Sequence, residues 1–504
     1  MKNFFIKIWR ILNNRRLEAA TLVSGAVVMV FEILGSRLLA PYLGSSLITW
    51  TSIIGVILAS LAIGYAWGGR LADRRVSQHA LAVVLWLAGG CLLLALLAAR
   101  PVLSWLSAAS WPLGWRAVTA AVLLLAPASV ALGMVTPYAA RLRIDNVAAS
   151  GRVIGGLSAW STVGSLLGTF GAGFWLVPTF GTMKILAGLA AAVWLAAFWL
   201  TIAKRPRIRQ WLTLLGAFIL VFGVYENWGR APAGLVDSDT MESRVWIYDT
   251  VEQKSHRPVR LLRLDSGFSS ARFLDGDDLI FDYTKYYDLA GYFNPGFNRV
   301  LMIGGAAYSY PQFFLKKWPR AELTVAEIDP RVTDLARRYF KLESDPRLII
   351  KQADGRVFLN QNTEIYDAIL VDAFSASYSL PWQLSTLEAA RREYDSLAAD
   401  GVVIINLVAS LSGAGSLLTD SLSATYARVF PQVFLLPVNA PQNETVTQNI
   451  MLVALKSKVR PDWRPADPLV AEQLSHRYSG AASKARVLTD DWAPTDYFAS
   501  RLKL

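Results

Sequence analysis

The chain is short of thiols and imidazoles, and in one half it is short of acids. Its 504 residues include one cysteine, Cys91, and three histidines, His79, His256 and His476. A single cysteine excludes an intrachain disulfide framework, and histidines so widely spaced offer no zinc cluster, so no metal is expected. Residues 1–229 hold 5 Asp+Glu against 19 Lys+Arg, and the remainder holds 33 against 31. The formal net charge of +12 therefore divides into +14 and −2. The basic excess belongs to the first part, and a high isoelectric point with that origin gives no support to a nucleic-acid partner.

That first part is also where the apolar residues concentrate. The chain is 54% hydrophobic with a mean hydropathy of +0.35, too apolar for an ordinary soluble enzyme. Seven apolar runs stand out, at Ala19–Tyr42, Trp50–Trp67, His79–Ala99, Ala117–Pro137, Val153–Val177, Met183–Ile202 and Trp211–Val224. Most reach the roughly 20 residues a bilayer requires, the last being short. Recurrence of the runs, and the absence of a small-residue cleavage site after the first, excludes a signal peptide. The sequence predicts an α-helical transmembrane bundle over residues 1–228, with the lipid bilayer as its partner.

Basic residues mark one side of that bundle. Fifteen Lys+Arg fall before the first run and on alternate connections, among them Arg15, Arg74, Arg143 and Arg205, whereas the opposite connections carry Arg100, Arg116 and Lys184. The positive-inside rule then predicts a multi-pass protein of a bacterial-type inner membrane with a cytoplasmic N-terminus. Seven crossings would leave the C-terminal domain extracytoplasmic. Trp105, Trp111 and Trp115 fit an interfacial aromatic belt. Glu32 and Arg37 lie within the first run, where charge is costly enough to require a partner or an interior position. Gly64-Tyr-Ala-Trp-Gly-Gly-Arg70-Leu-Ala-Asp73-Arg74-Arg75 resembles the cytoplasmic loop motif of major-facilitator transporters, with Asp73 able to pair with an arginine. Six glycines of the fifth run, Gly155, Gly156, Gly164, Gly168, Gly171 and Gly173, permit close helix packing.

After a Gly/Pro/Ala linker the composition becomes that of a soluble domain. The predicted organisation is a linker and small β unit over 229–298 and an α/β domain over 299–504. Strands at Arg299–Ile303, Glu322–Ala326, Leu348–Gln352, Ala368–Val371 and Gly401–Asn406 alternate with helices, which predicts a parallel, doubly wound sheet. Gly304, Glu327, Asp354 and Asp372 follow or end four of these strands, the edge where such sheets bind ligands. The apolar strand running into Gly304-Gly305, with an acid 23 residues after Gly304 at Glu327, reads as the nucleoside-binding half of a Rossmann-like fold.

Taken in order, several segments resemble the spermidine synthase (polyamine aminopropyltransferase) family, in its membrane-fused branch. They are Tyr283-Thr-Lys-Tyr-Tyr287, Leu301-Met-Ile-Gly-Gly305, Val325-Ala-Glu-Ile-Asp-Pro330, Asp354-Gly-Arg356, Tyr366-Asp-Ala-Ile-Leu-Val-Asp372-Ala-Phe374, Pro381-Trp-Gln-Leu-Ser-Thr386 and Leu488-Thr-Asp-Asp-Trp-Ala-Pro494. The resemblance implies a class I methyltransferase-like fold and an enzyme of polyamine biosynthesis. Its co-substrate would be decarboxylated S-adenosylmethionine or S-adenosylmethionine, with no tightly bound cofactor. Glu327 would hold the ribose hydroxyls, Asp354 the adenine amino group, and Gly304 and Gly305 would admit the nucleoside. Asp372 would be catalytic, with Tyr283, Tyr287 and Ser375 on the amine substrate, while Asp490 and Asp491 would brace the C-terminal segment.

The departures from the family pattern concern charge. Ser375 stands where the family has a second acid, Ala306 replaces a third glycine, Ala307-Tyr-Ser-Tyr310 lacks the acid that follows it, and Lys285 replaces a glutamate and would repel a cationic amine. Three readings therefore stay open: a membrane-bound aminopropyltransferase-like enzyme, another adenosylmethionine-dependent transferase such as a methyltransferase, and a non-catalytic ligand-binding or transport-associated membrane protein.

Overall fold

The computed structural model describes residues 15–44, 46–144, 146, 150–201, 234–240, 242–265, 267–374, 378–478 and 485–502. The chain divides into two compact units, Met1–Ala233 and Gly234–Leu504.

In the first unit, α1 (Arg16–Leu43), α2 (Leu47–Arg74), α3 (Gln78–Ala108), α7 (Ser150–Gly171, continued by a π-helical turn to Leu176) and α8 (Thr182–Thr201) are each long and apolar enough to cross a membrane. The fourth apolar run is not one straight helix. It is α4 (Leu113–Leu124) followed after Leu125 by α5 (Ala126–Gly133) and α6 (Val135–Arg143), with a bend of 51° at the break. Pro127, in the first turn of α5, cannot donate the backbone hydrogen bond that would continue α4. The seventh apolar run, Trp211–Val224, lies outside the described residues.

Two of the six glycines of the fifth run serve packing. A Cβ on Gly164 would overlap the carbonyl oxygen of Leu22, and one on Gly168 that of Ala26; Gly25 on α1 is closed in the same way by Ser161. The backbones of α1 and α7 therefore touch along a small-residue seam. Gly155, Gly156, Gly171 and Gly173 face open space, because they lie off that seam. Asp73 near the end of α2 pairs with Arg141 of α6 at 3.1 Å, and Glu18 near the start of α1 pairs with Arg143 of α6. Glu32 makes no hydrogen bond or ion pair among the described residues.

The second unit opens with a four-stranded antiparallel meander, β1 (Val236–Asp239), β2 (Arg244–Val251), β3 (Pro258–Leu264) and β4 (Gly267–Phe273). Its apolar face, Val245, Ile247 and Leu262, packs on Ala307, Val332 and Phe340 of the following α/β layer. Residues 279–297 belong to the α/β core: Leu279, Tyr286, Tyr287, Leu289 and Phe297 are all buried in it.

The main sheet runs in the order β10-β11-β9-β8-β5-β6-β7. β5 (Arg299–Ile303), β6 (Glu322–Glu327), β7 (Leu348–Gln352), β8 (Tyr366–Val371) and β9 (Leu397–Ala409) are parallel to their neighbours within this set. Strict alternation sends Val300, Met302, Leu323 and Val325 to one core and Leu301, Ile303, Ile369 and Val371 to the other. Helices cover both faces. α9 (Ser309–Lys317) and α10 (Pro330–Tyr339) contribute Phe314 and Ala336 to the first core, and α11 (Gly355–Gln361) and α12 (Leu387–Asp395) contribute Leu359 and Ala390 to the second. The sheet is mixed, not wholly parallel. β10 (Gln432–Pro437) and β11 (Gln448–Leu455) pair antiparallel, and β11 pairs antiparallel with β9. The connection from β10 to β11 is too short to carry the crossover helix that a parallel pair requires. This is a Rossmann-like, methyltransferase-type sheet whose direction of winding reverses between β5 and β8.

Gly164→Val and Gly168→Val are each expected to destabilise the first unit by about 1–3 kcal/mol through overpacking. Gly155→Val and Gly173→Val, placed in open space, should leave it unchanged. Thermal denaturation of the purified protein compares the four.

Candidate functional site

At the winding reversal, the ends of β5 and β8 lie side by side, with Ile303 opposite Val371 and the Asp372 N–H donating to the Ile303 carbonyl at 2.9 Å. Gly304 leaves β5 with φ +94°, and any Cβ there would strike the Asp372 backbone. Only glycine fits both constraints. Gly305 is closed by the Tyr308 ring, 2.7 Å from where a Cβ would stand. The loop continues through Ala306 and Tyr308, both with positive φ (45° and 57°). The glycine-like conformation is thus kept at Ala306 although the residue has changed, a locally strained arrangement.

The same loop is tied to Glu327 at the end of β6. One Glu327 oxygen accepts the Gly305 and Ala306 N–H groups at 2.8 and 3.2 Å, and the other accepts the Asp329 N–H at 2.9 Å. Burial raises the Glu327 pKa; the Asp329, Gly305 and Ala306 amides oppose that rise, and the Asp329 charge adds to it. Three of roughly four acceptor positions of the carboxylate are filled, so hydroxyl groups arriving there must share the remainder. Asp354, following β7, caps the helix α11 (Gly355–Gln361) by accepting the Val357 N–H at 2.9 Å. It neighbours the Glu327 strand end, where the Ala353 N–H bonds the Glu327 carbonyl.

Asp372 is held from two sides. Asn406 on β9 donates its side-chain amide to one carboxylate oxygen at 3.0 Å, and the Tyr283 hydroxyl donates to the other at 3.3 Å. Asn406 is itself oriented by the Asn449 amide at 2.9 Å. Burial pushes the Asp372 carboxyl up to about 6, against the pull of its hydrogen bonds from Asn406, Tyr283 and Tyr287. The tyrosines are held protonated by the same burial and by the Asp372 charge. A carboxylate in this range can take a proton from an ammonium ion near neutral pH.

A cavity brings Gly304, Gly305, Tyr283 and Asp372 together. Glu327, Asp354 and Tyr287 do not line it: Glu327 holds the Gly305 and Ala306 amides from behind, Asp354 stands at the adjacent strand end, and Tyr287 is fully buried behind Tyr283. Ser375 lies outside the described residues. Lys285 is not part of the cavity lining. It pairs with Asp282 at 2.9 Å, one turn away on the same 3-10 helix, and Lys254 pairs with the other Asp282 oxygen. Asp490 accepts from Thr386 at 2.7 Å and pairs with Arg356 at 2.8 Å, bracing the C-terminal segment against α11 and α12. Sequence reasoning missed Asn406 and Asn449. Their signal was polarity inside otherwise apolar strands, where a buried amide needs a partner.

Residues 285–458 match the spermine/spermidine synthase domain. The C-terminal part of this chain carries a spermidine synthase domain. The chain is 25% identical over 286 residues to the polyamine aminopropyltransferase of Vibrio vulnificus (strain CMCP6), covering 53% of this chain and 93% of that protein. It is 26% identical over 417 residues to polyamine aminopropyltransferase 1 of Streptomyces coelicolor, covering 77% of this chain and 75% of that one. The latter match is longer than the whole second unit and so extends into the first. Among solved structures, spermidine synthase from Thermotoga maritima is 17% identical, with a TM-score of 0.36, covering 54% of this chain and 84% of that one.

If Asp372 of the synthase domain is the proton acceptor, kcat/KM should rise with pH through about 6 as the carboxylate forms. Asp372→Asn should lower it roughly 100- to 10,000-fold and abolish that limb. Asn406→Ala removes a donor that favours the ionised form, and should move the limb to higher pH without eliminating turnover.

Proposed function

We propose that this protein is a multi-pass membrane enzyme whose synthase domain binds an adenosyl sulfonium nucleoside and transfers an alkyl group, an aminopropyl group in the favoured reading, to an amine. The observation that carries the reading is Asp372, a carboxylate with a raised pKa fixed beside the Gly304 turn at the winding reversal of the sheet. In the proposed reaction, Asp372 takes a proton from the acceptor ammonium. The freed nitrogen lone pair attacks the carbon bonded to the sulfonium, and the C–S bond breaks with its electrons passing to sulfur. The product is a neutral thioether nucleoside, and the new secondary amine leaves protonated. Positioning supplies much of the rate, because nucleophile and carbon must meet in line. Glu327 and Asp354 are assigned to the ribose hydroxyls and the adenine amino group, and the Gly304-Gly305 turn to close approach of the nucleoside.

The membrane assignment rests on the long apolar helices of the first unit and on the asymmetry of basic residues. With the basic connections in the cytoplasm and seven crossings, the synthase domain faces away from the cytoplasm. Adenosyl donors are cytoplasmic metabolites, so this placement requires delivery of the donor across the bilayer.

Two measurements test the proposal. Methylthioadenosine, S-adenosylmethionine and its decarboxylated form are titrated into the purified full-length protein; Glu327→Gln and Asp354→Asn should each weaken nucleoside binding by about 1–3 kcal/mol, and unchanged titrations for both would remove the nucleoside assignment. Separately, a reporter fused after Leu504 reads sidedness. Alkaline phosphatase activity is expected, whereas cytoplasmic fluorescence without phosphatase activity would overturn the outside placement and restore direct access to the donor.

A further inference from the structure

The cavity at Asp372 is poor in negative charge. Among the described residues that line it, Asp372 is the one acid; the rest of the lining joins apolar and aromatic side chains, Phe281, Tyr283, Met302 and Tyr310 among them, to the uncharged hydroxyls of Ser270, Thr284 and Ser309. Asp288, behind Tyr310, is already committed, accepting the Tyr310 hydroxyl at 3.2 Å and pairing with Lys317 at 2.9 Å. Asp282 is committed to Lys285 and Lys254. The loop position after Ala306 offers no room for another carboxylate, because Ala307 is fully buried against Val245, Ile247 and Phe340.

The aromatic wall is continuous. Phe281 stacks on Tyr283 at 5.9 Å between centroids, Tyr283 meets Tyr287 edge-on at 6.2 Å, and Tyr287 meets Tyr310 at 5.1 Å. Such a surface welcomes hydrocarbon and can face one cation, but it cannot neutralise a second ammonium taken out of water. A sulfonium donor already brings one positive charge. One carboxylate is matched to one reacting amine.

We propose that the acceptor is a monoamine, a single primary amine on an apolar alkyl or aryl body, rather than a diamine or polyamine. The proposal rests on the alkyl-transfer reading above and narrows its acceptor. The reacting nitrogen gives its proton to Asp372 and forms the new N–C bond as the C–S bond breaks. The apolar body lies along the Phe281–Tyr283 wall, where a diamine would leave its second ammonium without a counter-charge.

The test compares pentylamine with cadaverine, equal in chain length and different by one ammonium. Full-length protein is supplied with decarboxylated S-adenosylmethionine and, in parallel, with S-adenosylmethionine. Alkylated amine is read by mass spectrometry, and nucleoside binding is measured on the same preparation with methylthioadenosine. Pentylamine is expected to show a kcat/KM at least roughly 10-fold above that of cadaverine, the penalty of an unmatched buried charge. Ile280→Glu, which adds a second acid to the lining, should move the preference toward cadaverine, with melting curves confirming a folded variant. Equal or better use of cadaverine by the native protein, or an unmoved preference in the folded variant, overturns the monoamine proposal and leaves alkyl transfer standing. Nucleoside binding with neither amine alkylated overturns the proposal and confines the site to binding. Absence of nucleoside binding removes the underlying reading as well.

Discussion

The site depends on one close approach: the backbone of Gly304 against the backbone of Asp372. With any side chain at Gly304, the ends of β5 and β8 could not lie in their present register, and the Asp372 carboxylate would not emerge beside the loop that Glu327 holds. From that contact the rest follows. Asn406, on β9 next to β8, is brought within reach of one carboxylate oxygen, and Tyr283 within reach of the other. Burial then disfavours the charged form while the donors favour it, leaving a carboxyl group poised near 6.

Charge is distributed so that this carboxylate is left to act. Two acids near the tyrosine wall have cations of their own: Asp282 has Lys285 and Lys254, and Asp288 has Lys317. Lys285, the residue that from sequence alone threatened to repel the substrate, is thereby turned to local use. Among the described residues, the cavity combines one acid with an aromatic wall and uncharged hydroxyls, a combination suited to receiving one cation.

Much of this was legible in the sequence because strand ends are marked by abrupt changes of residue type. Val300 to Ile303 running into Gly304, and Ile369 to Val371 running into Asp372, mark both as strand ends without any tertiary information, although which strands are neighbours is given only by the fold. The antiparallel β10–β11 pair was not legible in the same way. Its strands are short apolar runs with no crossover helix between them, and the alternation of strand and helix upstream suggested a pattern that ends at β9. The Asn406–Asn449 relay was hidden because an isolated amide in a strand looks like an exception until its partner on another strand is known. In the first unit, glycine content pointed to close packing, but only Gly164 and Gly168 meet the α1 backbone. Which face of a uniformly apolar helix is the interface depends on the partner, and composition is silent on that.

The central claim is that a nucleoside sulfur sits over the Gly304-Gly305 turn with Asp372 as its nearest acid. An experimental structure of the full-length protein with methylthioadenosine tests it directly. The expected result has the ribose at Glu327, the adenine toward Asp354, and the Asp372 side chain, still bonded to Asn406 and Tyr283, facing the cavity beside the sulfur. A nucleoside bound elsewhere, or an Asp372 side chain turned into the sheet away from the sulfur, would contradict the account.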